Sequence, residues 1–178
     1  FRRVLFRSYY RSLGMTMEIG RADDLSIARI AQLTQRTNQF NLTTRRYTEA
    51  DIARFVASPE YDVLWLRVSD RLGDLGIVGA CIVRYAARRA ELDTFLLSCR
   101  ALGRGIEATF LAEILHVTRA RGADLIRGNY TKTSKNSQAE RFLADSGFTE
   151  VSAPSVAGDA RSFERALDGL CQIGRAHV

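Results

Sequence analysis

Residues 91–114, ELDTFLLSCRALGRGIEATFLAEI, decide the fold. Leu92, Thr94, Phe95, Leu96 and Leu97 form an apolar, β-favouring run of strand length. Arg100-Ala101-Leu102-Gly103-Arg104-Gly105 follows, with two glycines where the backbone must turn tightly. Ile106, Phe110, Ile114 and Val117 then recur at helical spacing, and Leu111 and Leu115 widen the stripe. The segment reads as strand, glycine turn and amphipathic helix. At the start of such a helix, unpaired backbone N–H groups and the positive end of the helix dipole converge, and glycines let an anion approach the main chain. Residues 103–105 are therefore a candidate pyrophosphate cradle, with Arg104 adding charge and Arg100 opening the motif. An ordinary strand-to-helix turn would use the same glycines. R-x-x-G-x-G lacks both the third glycine of a dinucleotide fingerprint and the G-K-[ST] of a P-loop.

Upstream of this unit, Met15, Met17 and Ile19 alternate with Thr16 and Glu18 as a short edge strand. A helix over 25–36 carries Leu25, Ala28, Ile30, Ala31 and Leu33 on its apolar face, with Asp23 or Asp24 at its cap. Residues 37–47, TNQFNLTTRRY, are rich in amides, hydroxyls and arginines but hold no glycine or proline, which is unusual for a connection. Asn38, Gln39, Asn41, Thr43 and Arg45 are thus either a surface that reads a ligand or partner, or a loop whose amides satisfy local backbone. Thr48 caps a helix over 49–57 that Ser58-Pro59 ends. Residues 62–68 form a strand with Trp65 in the core. Gly73 to Gly76 turn the chain into a second antiparallel strand over 77–85, and Arg88-Arg89 turn it again. Beyond the long helix, 123–128 is a strand. Lys135-Asn136 opens a helix with Ala139, Phe142 and Leu143 on one face, stopped by Ser146-Gly147-Phe148. Residues 162–167 are strand-like, after Pro154 and Gly158. There is no internal repeat and no low-complexity segment.

The two ends are read apart from the rest. Residues 1–8, FRRVLFRS, and 173–178, IGRAHV, look like translations of one common sequencing adapter on opposite strands, and such scars are excluded from fold reasoning. Residues 9–14 read as an incoming linker and 15–171 as one domain. The whole chain has 26 Lys+Arg against 20 Asp+Glu, but Arg2, Arg3, Arg7 and Arg175 belong to the ends. Without those four the balance is 22 against 20, a net of +2, so charge gives no argument for nucleic acid or an acidic membrane surface. His177 goes with them, leaving His116 as the sole histidine and little material for a metal site. About 164 residues suffice for one domain with a core, and no run approaches the roughly 18 apolar residues of a membrane span. Cys81, Cys99 and Cys171 are widely spaced without C-x-x-C, and an odd count favours a reducing cytoplasm.

R-x-x-G-x-G after a central strand resembles the acyl-CoA-binding motif of the GNAT acyltransferases. Asn136-x-x-Ala139-x-x-Phe142-Leu143-x-x-x-Gly147-Phe148 resembles that family's N-x-x-A-x-x-F-Y-x-x-x-G-F. The expected order β-α-α-β-β-β-α-β-α-β matches the same α/β fold, a mixed central sheet flanked by helices. RIAQLTQRTNQFNLTTRRYTEADI (29–52) and DTFLLSCRALGRGIE (93–107) further resemble the C-terminal region of the FkbH-like family, in which a HAD-type domain precedes a GNAT-like domain. That resemblance implies transfer of a glyceryl unit from 1,3-bisphosphoglycerate to an acyl carrier protein, for polyketide extender units or related pathways. It also implies a HAD-type domain upstream of Tyr9, and with it the phosphatase chemistry that this segment does not carry.

A phosphopantetheine arm, on CoA or on a carrier protein, needs an extended backbone edge and an anion cradle. Residues 93–99, with Leu97 and Ser98, offer the edge. Gly103, Arg104 and Gly105 offer the cradle, and the second motif adds Asn136. Cys99, beside Arg100 and ahead of a helix start, is placed either as a nucleophile that accepts and passes on an acyl group or as a small core thiol. Many GNAT enzymes keep a tyrosine where this chain has Leu143, and it protonates the departing thiolate. Tyr130 is the candidate substitute. Asp93 and Glu107 are candidate carboxylates, Glu107 being either solvated and complementary to the helix dipole or buried. Three functions follow as expectations. They are a carrier-dependent acyl (glyceryl) transferase, a free-standing N-acetyltransferase using acetyl-CoA, and a non-catalytic module that docks a carrier protein. No metal, nucleic acid or membrane is expected.

Overall fold

A computed structural model describes residues 2–5 as backbone, and residues 14–103, 105–152 and 160–168 with their side chains. Arg104, Cys171, Pro154, Gly158 and the ends other than residues 2–5 lie outside the described residues. The strands are β1 (Arg2–Leu5), β2 (Thr16–Arg21), β3 (Phe40–Asn41), β4 (Tyr61–Asp70), β5 (Gly73–Ala86), β6 (Arg89–Leu97), β7 (Leu125–Thr131), β8 (Thr149–Val151) and β9 (Ala160–Ala166). The helices are α1 (Asp24–Arg36), α2 (Glu49–Ala57), α3 (Ile106–Ala120) and α4 (Phe142–Asp145). The sheet runs β1-β2-β4-β5-β6-β7-β9-β8, with β3 paired to β6 off this path. Among the described strands only β6 and β7 pair in parallel, and α3 supplies the crossover that a parallel pair requires.

Both faces of the sheet are covered because its strands alternate. Val63 and Trp65 of β4 and Leu96 of β6 pack with Ile30 and Leu33 of α1 and Ile52 of α2. Leu64 and Leu66 of β4 and Phe95 of β6 pack with Phe110 and Ile114 of α3 and Leu143 of α4. Trp65 is core, as its setting in the strand implies, and its indole N–H donates to the Arg21 carbonyl at 3.0 Å. Both early helices start at reciprocal caps. Asp23 accepts from the Ser26 N–H, and Thr48 accepts from the Asp51 N–H.

The structure departs from the sequence reading at several places. Arg2–Leu5, expected to complete no element, pairs antiparallel with β2 from Arg2↔Ile19 to Leu5↔Thr16, so β2 is not an edge. Leu25 is 92% exposed and Ala28 is exposed as well, because α1 turns Ser26, Ile30, Ala31, Leu33 and Thr34 inward. The β4–β5 turn falls at Arg71 and Leu72, so β5 begins at Gly73 rather than at Ile77. The helix expected from Lys135 is a 3-10 turn, Ser137–Ala139, followed by the single-turn α4. β3 and β8 were not expected at all.

The feature that shapes the site is the divergence of β6 from β7. They pair only from Arg89↔Leu125 to Leu92↔Gly128. Past that point the chain's own residues 40–42 fill the gap. Phe40 pairs with Leu97 and Asn41 with Leu96, the Leu42 N–H donates to the Phe95 carbonyl at 3.1 Å, and the Thr131 N–H donates to the Leu42 carbonyl at 2.8 Å. A buried backbone edge must find partners, and here a two-residue strand provides them.

Candidate functional site

At the open end of this gap lies a cleft of about 710 Å3. Its walls are Arg29, Gln32, Leu33 and Arg36 of α1, residues 37–39, the end of β6 (Ser98, Cys99, Arg100) and the loop residues Ser134 and Lys135. Ser98, Cys99, Arg100, Asn38 and Gln39 were expected from the sequence as site residues, and the fold brings them together here. Arg29, Gln32, Arg36 and Lys135 were not. Their signal was present in α1, where Arg29, Gln32 and Arg36 recur at i, i+3 and i+7 and so share one helical face.

Cys99 opens a short 3-10 turn, Cys99–Ala101, and is exposed. Of the two readings of this thiol, the buried one is excluded. Cys81 is the buried cysteine, and burial first, then Asp93 and Asp62, push its thiol well above the usual value. Iodoacetamide at neutral pH is therefore expected to alkylate Cys99 well before Cys81, read by peptide mass spectrometry. Equal labelling of the two in the folded protein would mean that Cys81 is reachable and would undo this assignment.

The glycine turn has the expected geometry and one unexpected occupant. Gly103 (φ 77°) and Gly105 (φ 70°) are both left-handed, and Gly105 is the residue ahead of α3. The Glu107 carboxylate accepts the Gly103 N–H at 2.7 Å, so it neither stays free in solvent nor enters the core. Leu97 is fully buried, with its backbone paired to Phe40 on one side and Gly79 on the other. The strand edge expected over residues 93–99 is thus already paired as far as Leu97.

Four expected site residues are committed to structure instead. Asn136 is fully buried. Its amide N–H groups donate to the carbonyls of Asn41 (3.0 Å) and Thr131 (2.9 Å), and its oxygen accepts from the Thr133 N–H (2.8 Å) and the Tyr130 hydroxyl (3.2 Å). The side-chain amide of Asn136 has no donor or acceptor left for a cofactor. Tyr130 is buried with its hydroxyl on Asn136, and burial pushes its phenol up, so it does not face the cleft as an acid. Asn41, also fully buried, donates to the Thr37 carbonyl and accepts from the Thr44 N–H. The Thr43 hydroxyl donates to the Asp93 carbonyl at 2.9 Å.

Asp93 is likewise an anchor. Its carboxylate is ion-paired with Arg45 and accepts from the Tyr47 hydroxyl (2.7 Å) and the Thr94 hydroxyl (3.0 Å). Burial, and then the bond to Asp93, push the Tyr47 phenol up. Arg45 is therefore a tie between residues 37–47 and the sheet rather than a ligand-reading group. Asn38 accepts from Arg46, and among the surface residues expected from the sequence it remains on the cleft with Gln39. Among the described residues, no group of three or more His, Cys, Asp or Glu could hold a metal ion, and no helix is long and apolar enough to cross a membrane.

The architecture is that of the GNAT acetyltransferases. The GNAT domain of PAT from S. lividans superposes with a TM-score of 0.66 at 16% identity, covering 85% of this chain and 90% of that one. The ribosomal-protein-S18-alanine N-acetyltransferase of Escherichia coli gives 0.63 at 14% identity, over 91% of this chain and 99% of that one. N-acetylglutamate synthase from Neisseria gonorrhoeae, complexed with coenzyme A and N-acetyl-glutamate, gives 0.62 at 17% identity, over 85% of this chain and 35% of that one. No protein-family model matches the sequence. No curated protein matches it. At these identities the likeness is one of fold.

Proposed function

We propose that this domain binds a phosphopantetheine arm, on CoA or on an acyl carrier protein, and takes part in acyl transfer. The observation that carries the reading is the position of Cys99. It is an exposed thiol where β6 ends, between Ser98 and Arg100 on the wall of a cleft, four residues before the left-handed Gly103. Arg100 and the backbone at Gly105 suit phosphate oxygens, which fits the charged part of such an arm. The arm supplies a thioester carbonyl. Cys99 Sγ attacks that carbonyl, a new C–S bond forms as the bond to the arm breaks, and the proton leaving Cys99 goes to the arm's sulfur. In the finer form of this proposal the donor is instead the acyl phosphate 1,3-bisphosphoglycerate. Cys99 Sγ displaces phosphate from its carbonyl, with the Cys99 proton leaving on the phosphate. The thiol of a carrier-bound arm then attacks the glyceryl thioester and its proton returns to Sγ, and a HAD-type domain stands upstream. The resemblance of residues 29–52 and 93–107 to FkbH-like proteins supports that form.

One observation favours a second reading, a non-catalytic docking module. An arm lying between β6 and β7 would have to displace residues 40–42, and the Gly103 N–H already holds Glu107. A free-standing N-acetyltransferase has the same fold, but needs a group to protonate its departing thiolate. Here Leu143 and Tyr130 are both buried, and Tyr130 is tied to Asn136.

Gly105→Val tests the arm site. A β-branched side chain at φ 70° obstructs the turn and strains it by roughly 1–3 kcal/mol, which a domain of this size tolerates. Calorimetry with CoA is expected to show at least a tenfold loss of affinity in a variant with wild-type circular dichroism. Unchanged affinity in that folded variant would remove the glycine turn from the site. Absence of CoA binding by the wild type, with binding of a phosphopantetheinylated carrier, would leave recognition to the carrier alone.

A further inference from the structure

The cleft beside Cys99 carries more positive charge than the arm reading uses. Arg29, Arg36, Arg100 and Lys135 line it, and none of its described lining residues is Asp or Glu. Arg29 Nε donates to the Ile77 carbonyl at 3.1 Å and its Nη1 to the Gln32 side-chain oxygen, both neutral acceptors. Among the described residues none of the four cations has a carboxylate partner, whereas Arg21, Arg45 and Arg121 each do. Burial, then Arg100, then Arg36, push the Arg29 guanidinium below its usual value, as expected of like charges crowded without relief. The amide side chains of Gln32, Asn38 and Gln39 add neutral polar groups to the same cleft.

We infer that the α1 wall of this cleft, with Lys135 opposite, is a subsite for a small oxyanion bearing carboxylate or phosphate, separate from the glycine turn at Gly105. The physical reason is charge balance. Guanidinium groups offer forked donors to oxyanions, and an anion here relieves a repulsion that no residue of the cleft offsets. Its role as co-substrate rests on the acyl-transfer reading: the molecule brought against Cys99 is anionic, and a cationic amine acceptor is repelled. The binding itself does not depend on that reading.

The test is a binding titration of the full chain at physiological ionic strength, with inorganic pyrophosphate in one arm and succinate in the other. Protection of Cys99 from iodoacetamide is followed in parallel. Arg36 and Lys135 are exposed and unpaired among the described residues, so Arg36→Gln with Lys135→Gln leaves the fold intact. At least one probe is expected to bind the wild type and protect Cys99. In the double variant its Kd rises about tenfold or more, and Arg36→Lys, tested alone, keeps most of the affinity. Binding of pyrophosphate alone names a phosphate-bearing ligand, and binding of succinate alone a carboxylate-bearing one. Gly105→Val separates the two sites. Retained probe binding in that variant supports the subsite, even if CoA binding is lost. Probe binding that Gly105→Val abolishes and the double variant keeps places the anion at the helix start, overturning the inference while the arm reading stands. Binding of neither probe by the wild type also overturns it.

Discussion

Asp62→Ala is expected to cost about 3–5 kcal/mol of folding free energy, the largest effect of any single substitution considered for this domain. The Asp62 side chain is fully buried. It is ion-paired with Arg21 and, at 2.5 Å, with Arg121, and it accepts the Tyr85 hydroxyl at 2.9 Å. Arg121 stacks over the Tyr85 ring with its guanidinium carbon 4.3 Å from the centroid, and donates to the Pro59 carbonyl. One carboxylate thus joins the end of β2, the start of β4, β5 and the end of α3. Without it the partly buried Arg121 has no counter-charge and the Tyr85 hydroxyl loses its acceptor. For a domain of this size the melting temperature should fall by roughly 6–20 °C. A fall of less than about 2 °C would show that water replaces the carboxylate and that the network is dispensable. Arg21 is the weaker partner, since its side chain is 62% exposed and screened, so Arg21→Ala should cost far less.

Asp93→Ala should destabilise by about 2–4 kcal/mol, somewhat below a fully buried pair because Arg45 is half in water. The consequence is local as well as global. Residues 40–42 stay in the gap between β6 and β7 because Thr43, Arg45 and Tyr47 all close on Asp93, while Asn136 holds the Asn41 carbonyl. Hydrogen exchange at the Leu42 and Thr131 amides is therefore expected to accelerate more than exchange at Leu64, deep in β4. This separates an anchor from a catalytic carboxylate. Loss of acyl transfer with unchanged melting temperature and unchanged exchange would restore Asp93 to the chemistry.

Cores and caps were legible because they are local. The change from a short apolar, β-favouring run over Leu92 to Leu97 to period 3.6 over Ile106 to Val117 needed only consecutive residues, as did Thr48 ahead of Asp51. The roles of Asp93 and Asn136 were not legible, because their partners are brought to them by the fold. The Tyr47–Asp93 bond spans 46 residues and the Asn136–Asn41 bond 95. Polar residues in a suggestive motif read alike whether they hold a ligand or hold the chain. Only the count of occupied donors and acceptors distinguishes the two, and in the Asn136 side chain all are occupied by protein.

The sequence by itself determined the GNAT-like order of the main elements, the glycine turn ahead of α3 and the place of a cysteine at the end of β6. These follow from side-chain period, from the left-handed backbone that glycine permits, and from the end of the apolar run at Leu97. That the thiol is exposed came from the structure. Tertiary structure alone decided what stands in the gap between β6 and β7, and which cations face Cys99. β3 is two residues long and has no period of its own. It is a strand because the unpaired edge of β6 requires partners there. Arg29 and Arg36 meet Arg100 and Lys135 only because α1 packs on the sheet face beside Leu96, near the end of β6, and no local rule of sequence sets the distance between charges on separate elements.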